Sequence, residues 1–382
     1  MKKVDLLIIT SQPVPYGLAS TNRLLCYADG LAQRKNVEII TLSGPYDNPQ
    51  FQIPQIGSIG NITYRYLGKT YQSKKTNTVI RAWNRLWRHL KLIKLLLIDY
   101  KARTILVLSR DNVLSVLLWI IAVCQRIRLF RETSETPEKL KNTVKRHIST
   151  YIIRLYSGLI VISDGMKNYY RKILSDDKFF ILPVLVDMDA FTDYQNVEKK
   201  KYFFYCSGAN LERDGFLDGL HAFLEFNKKY PEYELQVATS LNMQDPYHQK
   251  AAEIMNANTH CVKYLGKLPS FEIPQKLMQA TALMITPHKN YLTRGFPTKL
   301  GEYLASGTPV ICSSIDDLVT QLNHDCVYMV APNSPQEIVS AMENIVNNPT
   351  KAKETGEKGR QFAINRFCID SYVDELISFL KI

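Results

Sequence analysis

What most constrains the fold of this chain is a strand-first alternation that runs through it twice. Val4–Thr10 (VDLLIIT) reads as a short buried strand, and a loop rich in Pro, Gly and Ser (SQPVPYGLAS) follows it. A helix starts near Thr21, with Leu24, Leu25, Ala28, Leu31 and Ala32 at helical spacing. Val37–Leu42 reads as a second strand, and further strands are expected over Ile105–Ser109, Leu129–Glu132 and Gly158–Ser163. These are near-continuous apolar runs, the pattern of a parallel sheet covered on both faces. The polar stretch Gln195–Lys201 then reads as a linker. Tyr202 starts the series again, with a helix over Leu217–Tyr230 and strands over Glu234–Ala238, Val262–Leu265, Ala282–Thr286, Pro309–Cys312 and Val327–Met329. Pro335–Val346 reads as a helix, and Arg360–Lys381 as a long amphipathic helix or helix pair. The expectation is an α/β protein with two Rossmann-like, doubly wound domains, 1–195 and 196–365. The last helix, about 366–382, is expected to pack back on the first domain. A chain of 382 residues suits two domains, at about 150 residues each. Ligands of such sheets sit beyond the carboxyl ends of the strands, which points to a cleft between facing domains.

Composition narrows the function. The seven cysteines are scattered and form no CxxC, so they read as buried free thiols of a reducing compartment rather than a disulfide framework or zinc site. The amino terminus (MKKVDLLIIT) has no long apolar region and reads as a first strand rather than a signal peptide. The longest uncharged apolar stretch, Asn112–Gln125, is well short of a membrane span. A cytoplasmic protein is therefore expected. The net charge of +12 suggests an anionic partner: nucleic acid, anionic lipid or a phosphorylated substrate. No basic motif interleaved with aromatics supports nucleic acid. No GxGxxG follows a strand, which argues against a nicotinamide dehydrogenase.

The segment whose residue types point to chemistry is Thr286–Val310 (TPHKNYLTRGFPTKLGEYLASGTPV). A buried strand ends at Thr286, a loop with Gly295 and Pro297 follows, and a helix starts near Thr298 and stops at Gly307. A helix start is a ready anion site. Lys299 in the first turn is unfavourable against the helix dipole unless an anion occupies that end. Glu302 can bond hydroxyls such as those of a ribose. A plain crossover with a solvated Lys and Glu fits the same residues, and the residues alone leave both readings open.

Pro297, Lys299, Glu302, Tyr303, Ala305, Gly307, Pro309 and Val310 resemble the donor-site signature of retaining glycosyltransferases of family 4, which have the GT-B fold. The resemblance implies transfer of a sugar from a UDP- or GDP-sugar to an acceptor hydroxyl, with no metal cofactor. Glu302 would then hold the ribose, and the backbone of Phe296, Pro297, Thr298 and Lys299 would face the sugar and diphosphate, beside Gly295. The family's earlier glutamate is replaced here by Arg294. Cys206–Gly215 (CSGANLERDG) resembles the first loop of the family's nucleotide domain, with Gly208 at the loop and Arg213 in place of a diphosphate-binding lysine. Ala209 stands where many members have a second basic residue. In this reading Arg213, Lys299 and Glu302 are the catalytic candidates, and Gly208, Arg294, Gly295, Phe296, Pro297 and Thr298 bind the donor.

Ile181–Phe191 (ILPVLVDMDAF) resembles the family's interdomain stretch, so Asp187 and Asp189 read as a structural turn rather than a metal-holding pair. Tyr16–Arg23 (YGLASTNR) and Arg131–Pro137 (RETSETP) resemble acceptor-side loops, which makes Gly17, Glu132 and Glu135 acceptor candidates. The family implies a saccharide or lipid-linked saccharide acceptor in surface polysaccharide or glycolipid synthesis. A sugar-nucleotide epimerase and a non-catalytic binding subunit remain alternatives.

Lys74–Arg103 holds nine Lys or Arg and one acid, Asp99. Val79, Trp83, Leu86, Trp87, Leu90, Ile93 and Leu97 share one helical face, and Arg81, Arg85, Arg88 and Lys91 lie on the other. Such a helix suits the surface of an anionic membrane, giving a peripheral attachment at its inner face. It also suits a domain helix with its apolar face on the sheet, and the pattern alone favours that packing.

Overall fold

The computed structural model describes all residues except 18, 46–52, 70–76, 141, 195–196, 209, 289–296, 316–321 and 323. The chain forms two compact units, Met1–Leu185 with Ile369–Ile382, and Val186–Cys368.

The first unit is built on strands β1 (Lys2–Thr10), β2 (Val37–Thr41), β3 (Ile56–Ile59), β4 (Ile62–Tyr66), β5 (Tyr100–Leu108), β6 (Arg128–Thr133), β7 (Gly158–Val161) and β8 (Phe179–Ile181). Its helices are α1 (Ala19–Ala32), α2 (Thr78–Lys94), α3 (Asn112–Gln125), α4 (Thr143–Tyr151) and α5 (Asp164–Tyr170). The sheet order is β3-β4-β2-β1-β5-β6-β7-β8. All pairings are parallel except the β3–β4 hairpin. Successive residues of β1 feed opposite faces, as a strand's alternation demands. Leu6 and Ile8 pack with Leu24 and Tyr27 of α1, and Leu7 and Ile9 pack with Leu92 of α2 and Leu114 and Leu118 of α3. Both faces are covered, which is why β1 reads as one apolar run.

The second unit holds β9 (Tyr202–Cys206), α6 (Phe216–Lys229), β10 (Glu234–Ala238), α7 (Pro246–Ala257), β11 (Val262–Gly266), α8 (Ile273–Gln279), β12 (Ala282–Ile285), α9 (Thr298–Ala305), β13 (Val310–Ser313), β14 (Tyr328–Val330), α10 (Pro335–Asn347) and α11 (Pro349–Phe367). Its sheet is wholly parallel in the order β11-β10-β9-β12-β13-β14. Phe203, Phe216, Phe223 and Phe226 centre a core rich in aromatics.

The boundary between the units falls earlier than the linker read from the charge run at 195–201. The 3-10 turn Asp189–Tyr194 packs on α8, and Val186 N–H donates to Phe367 O at 3.0 Å, so this stretch is tied to the second unit. After Phe367 the chain returns to the first unit as α12 (Val373–Leu380). Leu376 and Leu380 enter the core on the α1 face, and Leu380 O accepts from Thr104 Oγ1 at 3.0 Å.

The structure overturns the favoured packing of α2. His89 and Leu92 form its buried side, continued by Leu96 just past its end, whereas Trp83 (59% exposed), Trp87 (50%) and Leu90 (48%) point outward with Val79, Ile80 and Leu86. The apolar stripe lies away from the sheet. A polar anchor holds it there: His89 Nε2 lies 3.1 Å from Asp111 Oδ2, and Arg85 Nε donates to the same oxygen at 2.6 Å. Burial alone would raise the Asp111 carboxyl pKa. The hydrogen bonds from His89 and Arg85 outweigh it and hold the group well below the usual carboxylate range.

Candidate functional site

The order of the second sheet fixes where a ligand can sit. The chain builds outward from β9 to β10 and β11, then restarts at β12 and builds the other way. Such a switch point leaves a crevice beyond the carboxyl ends of the two central strands. The two segments singled out from the sequence both leave from there, Cys206–Gly215 after β9 and the loop before α9 after β12.

Helix α9 is fastened to the end of β9. Tyr303 is fully buried, and its hydroxyl accepts from Cys206 N–H at 2.9 Å and donates to Cys206 O at 3.3 Å. Lys299, one turn earlier on the same face, donates its ammonium to Cys206 Sγ at 3.3 Å. Burial raises the Cys206 thiol pKa, with Lys299 pulling the other way. A neutral thiol is a weak acceptor. Among the described residues it is the only acceptor that meets the Lys299 ammonium. Glu302 lies one turn further along α9 and is half-buried. Burial raises its carboxyl pKa, and the Lys299 charge lowers it less. No hydrogen-bond donor among the described residues meets its carboxylate. Pro297 occupies the cap position of α9 and supplies no side-chain cap. Among the described residues, a cation with a weak partner and a carboxylate without a donor therefore stand together at the switch point.

The loop after β9 is knotted around Asp214. Its carboxylate accepts from Ser207 Oγ at 2.5 Å and from Arg213 Nε at 2.5 Å, and its carbonyl accepts from Tyr205 OH at 2.5 Å. Arg213, expected to reach a diphosphate, is thus paired with its own neighbour. The adjacent Arg–Asp in LERDG is the signal that could have raised this pairing from sequence. Gly215 closes the loop at φ +65°, and a Cβ there would stand 1.8 Å from Thr286 O. Only glycine lets the two loops approach this closely. At Gly208 a Cβ would meet nothing within 4 Å.

Sequence reading missed His288. Its Nε2 lies 3.1 Å from Asp218 Oδ2 of α6, and its N–H donates to Arg213 O at 3.3 Å. It joins the two loops directly, and its place two residues past Thr286 was the available clue. Arg294, Gly295, Phe296 and Ala209 lie outside the described residues, as does the side chain of Thr298.

In the first unit the acceptor candidates are tied into the fold. Glu132 Oε1 accepts from Arg23 Nε at 2.8 Å, and Oε2 accepts from Tyr27 OH at 2.7 Å. Arg23 also donates to Leu182 O at 2.7 Å and to Pro183 O. Both charged side chains are 5% exposed. Glu132 therefore anchors α1 to β6, in place of the outward-facing contact expected of it. Glu135 is exposed and pairs with Arg110 at 2.7 Å. A Cβ at Gly17 would stand 2.0 Å from Thr21 Oγ1, itself held by Pro13 O at 3.0 Å, so glycine is required by loop closure. Asp187 Oδ1 accepts from Asp189 N–H at 3.1 Å and opens a 3-10 turn.

Residues 188–362 match the family model for glycosyl transferases group 1. Those residues span the second unit and the whole Cys206–Lys299–Glu302 arrangement. No curated protein matches the chain. Among solved structures it resembles sucrose-phosphate synthase from Thermosynechococcus elongatus, at 14% identity with a TM-score of 0.76, covering 99% of this chain and 98% of that one. It also resembles Anabaena HepE in complex with UDP and glucose, at 14% identity and a TM-score of 0.73, covering 99% of both chains. A third is a trehalose-6-phosphate enzyme from E. coli bound to UDP-2-fluoro glucose, at 13% identity and a TM-score of 0.69, covering 99% of both. The likeness shows the fold, which is GT-B. Among the described residues no helix is long and apolar enough to cross a membrane.

Proposed function

We propose that this chain is a retaining glycosyltransferase of the family 4 type, moving a sugar from a nucleoside-diphosphate sugar to an acceptor hydroxyl. The observation that carries the reading is the Lys299–Glu302 pair, set at the switch point beside Cys206 with no strong partner for either charge among the described residues. The match to group 1 glycosyl transferases covers this site, and fold relatives with UDP or a UDP-sugar bound support a nucleotide sugar as donor.

The acceptor oxygen would form its bond to the anomeric carbon as the bond from that carbon to the β-phosphate oxygen breaks, and the acceptor's hydroxyl proton would pass to the departing phosphate oxygen. The departing diphosphate gains charge, which fixed cations and amides stabilise better than water that must reorient. Lys299 would supply the charge and the first turn of α9 its amides, without a metal. Glu302 would accept from ribose hydroxyls, donors of a kind that it does not meet among the described residues. Arg213 would contribute only by leaving Asp214. Surface polysaccharide or glycolipid synthesis fits an acceptor of this class.

The test is release of nucleoside diphosphate from UDP-, GDP- and ADP-sugars with and without saccharide acceptors, with NMR of the new anomeric centre. Acceptor-dependent release with the donor's anomeric configuration kept is the expected result. Isomerised sugar nucleotide formed without any acceptor would instead identify an epimerase.

A further inference from the structure

Three neighbouring helices of the first unit leave large apolar side chains uncovered. On α2 these are Val79, Ile80, Trp83, Leu86, Trp87 and Leu90, with Leu97 and Ile98 just beyond its end. Helix α3 adds Trp119 (40% exposed), Ile120 and Val123. Helix α4 adds Val144, Ile148 and Tyr151. The helices are pinned together. Asp111, the cap of α3, holds Arg85 and His89 of α2, and Gln125 at the other end of α3 donates to Leu96 O at 3.3 Å. Asn112 Nδ2 reaches Ser149 Oγ of α4 at 3.0 Å. An uncovered apolar set of this extent is unusual for a monomer that meets only water.

We infer that this three-helix face binds the surface of an anionic lipid bilayer. The charges choose the occupant. Helix α2 carries no acid and, besides Arg85, which is held by Asp111, it carries Arg81, Arg88, Lys91 and Lys94; α3 carries no charge at all. Lys91 and Lys94 are exposed and border the apolar stripe at helical spacing. Apolar side chains entering the headgroup region, flanked by cations for anionic lipid, are what an in-plane helix needs. A second copy of the chain laid on this face would set the same cations against one another. The aromatics agree, because all three tryptophans of the chain, Trp83 and Trp87 of α2 and Trp119 of α3, stand on these pinned helices and each is at least 40% exposed. Tryptophan suits an interface that is apolar on one side and wet on the other. Trp83 and Trp87 meet edge to face, with ring centroids 6.0 Å apart.

The inference stands apart from the glycosyl-transfer reading, since none of these residues belongs to the switch point of the second unit. The placement of the tryptophans makes it directly measurable. The whole chain is mixed with vesicles of phosphatidylcholine alone or containing phosphatidylglycerol, then floated, and tryptophan emission is recorded in parallel. Expected are co-flotation and a blue shift with phosphatidylglycerol only, both weakened by salt. Lys91→Glu with Lys94→Glu should lower vesicle partition by about tenfold or more. Trp83→Gln with Trp87→Gln and Leu90→Gln should abolish flotation with the melting temperature unchanged, because these side chains are already exposed. The proposal is overturned by absent flotation, by equal binding to pure phosphatidylcholine, or by binding that the triple variant retains. Dimerisation in sedimentation that the triple variant removes, with no vesicle binding, would assign the face to a second copy instead.

Discussion

Both sheets bring an acid and a base together near the carboxyl ends of their strands, and they treat them in opposite ways. In the first unit Glu132 and Arg23 are 5% exposed, and each is fully engaged: the carboxylate by Arg23 and Tyr27, the guanidinium by Glu132, Leu182 O and Pro183 O. In the second unit Lys299 and Glu302 share one face of α9, but among the described residues the ammonium meets only a thiol and the carboxylate meets no donor. A buried charge pair that closes on itself holds the fold. A pair left open costs stability and is understandable where a ligand completes it. Residue type does not separate the two cases, but hydrogen-bond inventory does.

This contrast can be broken by substitution. The largest effect is expected from Arg23→Ala, which strands a buried carboxylate. It should lose about 3–5 kcal/mol of stability in denaturant unfolding, while the fraction that stays folded keeps nucleotide affinity. Lys299→Ala should do the reverse. Transfer should fall by about 10²–10³-fold, with a melting temperature close to that of the parent protein. If Lys299→Ala unfolds the protein and Arg23→Ala silences it, the two roles have been assigned the wrong way round.

Gly215→Ala tests the join between the two loops of the second unit. A methyl group cannot fit 1.8 Å from Thr286 O at φ +65°, so Cys206–Gly215 and the β12 loop must part. A loss of about 1–3 kcal/mol should accompany weaker nucleotide binding, seen in thermal unfolding with and without UDP.

The smallest expected effect is the most specific. Glu302 has a raised carboxyl pKa, so the fold favours its neutral form. Its contribution to stability is full at pH below the unfolded value and is lost as pH rises through the folded one. At neutral pH the charged group is a net cost. Glu302→Gln should therefore melt higher than the parent near pH 7, with the difference closing as pH falls into the ordinary carboxylate range. A gap that widens toward acid would mean that the carboxylate is stabilised in the free protein, contrary to its raised pKa.

Much of the architecture was legible because parallel strands covered on both faces leave unbroken apolar runs. VDLLIIT and YFFYC are such runs, and each opens a sheet. The β3–β4 hairpin escaped notice because IGSI and ITYRY are short and partly exposed at an edge, so neither stands out as a buried run. The Lys299 and Glu302 positions were legible from the helix start and stop around them. The roles of Glu132 and Arg213 were not read, because each is decided by a partner: Arg23, far away in sequence, and Asp214, whose adjacency in LERDG was the one available signal. The direction of the α2 stripe was hidden for a related reason. Amphipathicity shows that a helix has an apolar face, but which face the domain takes depended here on His89 and Arg85 finding Asp111.

The central claim is that Lys299 and Glu302 form an incomplete pair that a nucleoside diphosphate completes. Calorimetric titration of UDP and GDP into the parent protein, Lys299→Ala and Glu302→Ala tests it most directly. The account predicts binding of one diphosphate to the parent and a loss of affinity of about tenfold or more in each variant, as expected for charge-assisted contacts of about 1.5–3 kcal/mol. Equal affinity in all three proteins, or no binding of either diphosphate to the parent, would contradict it.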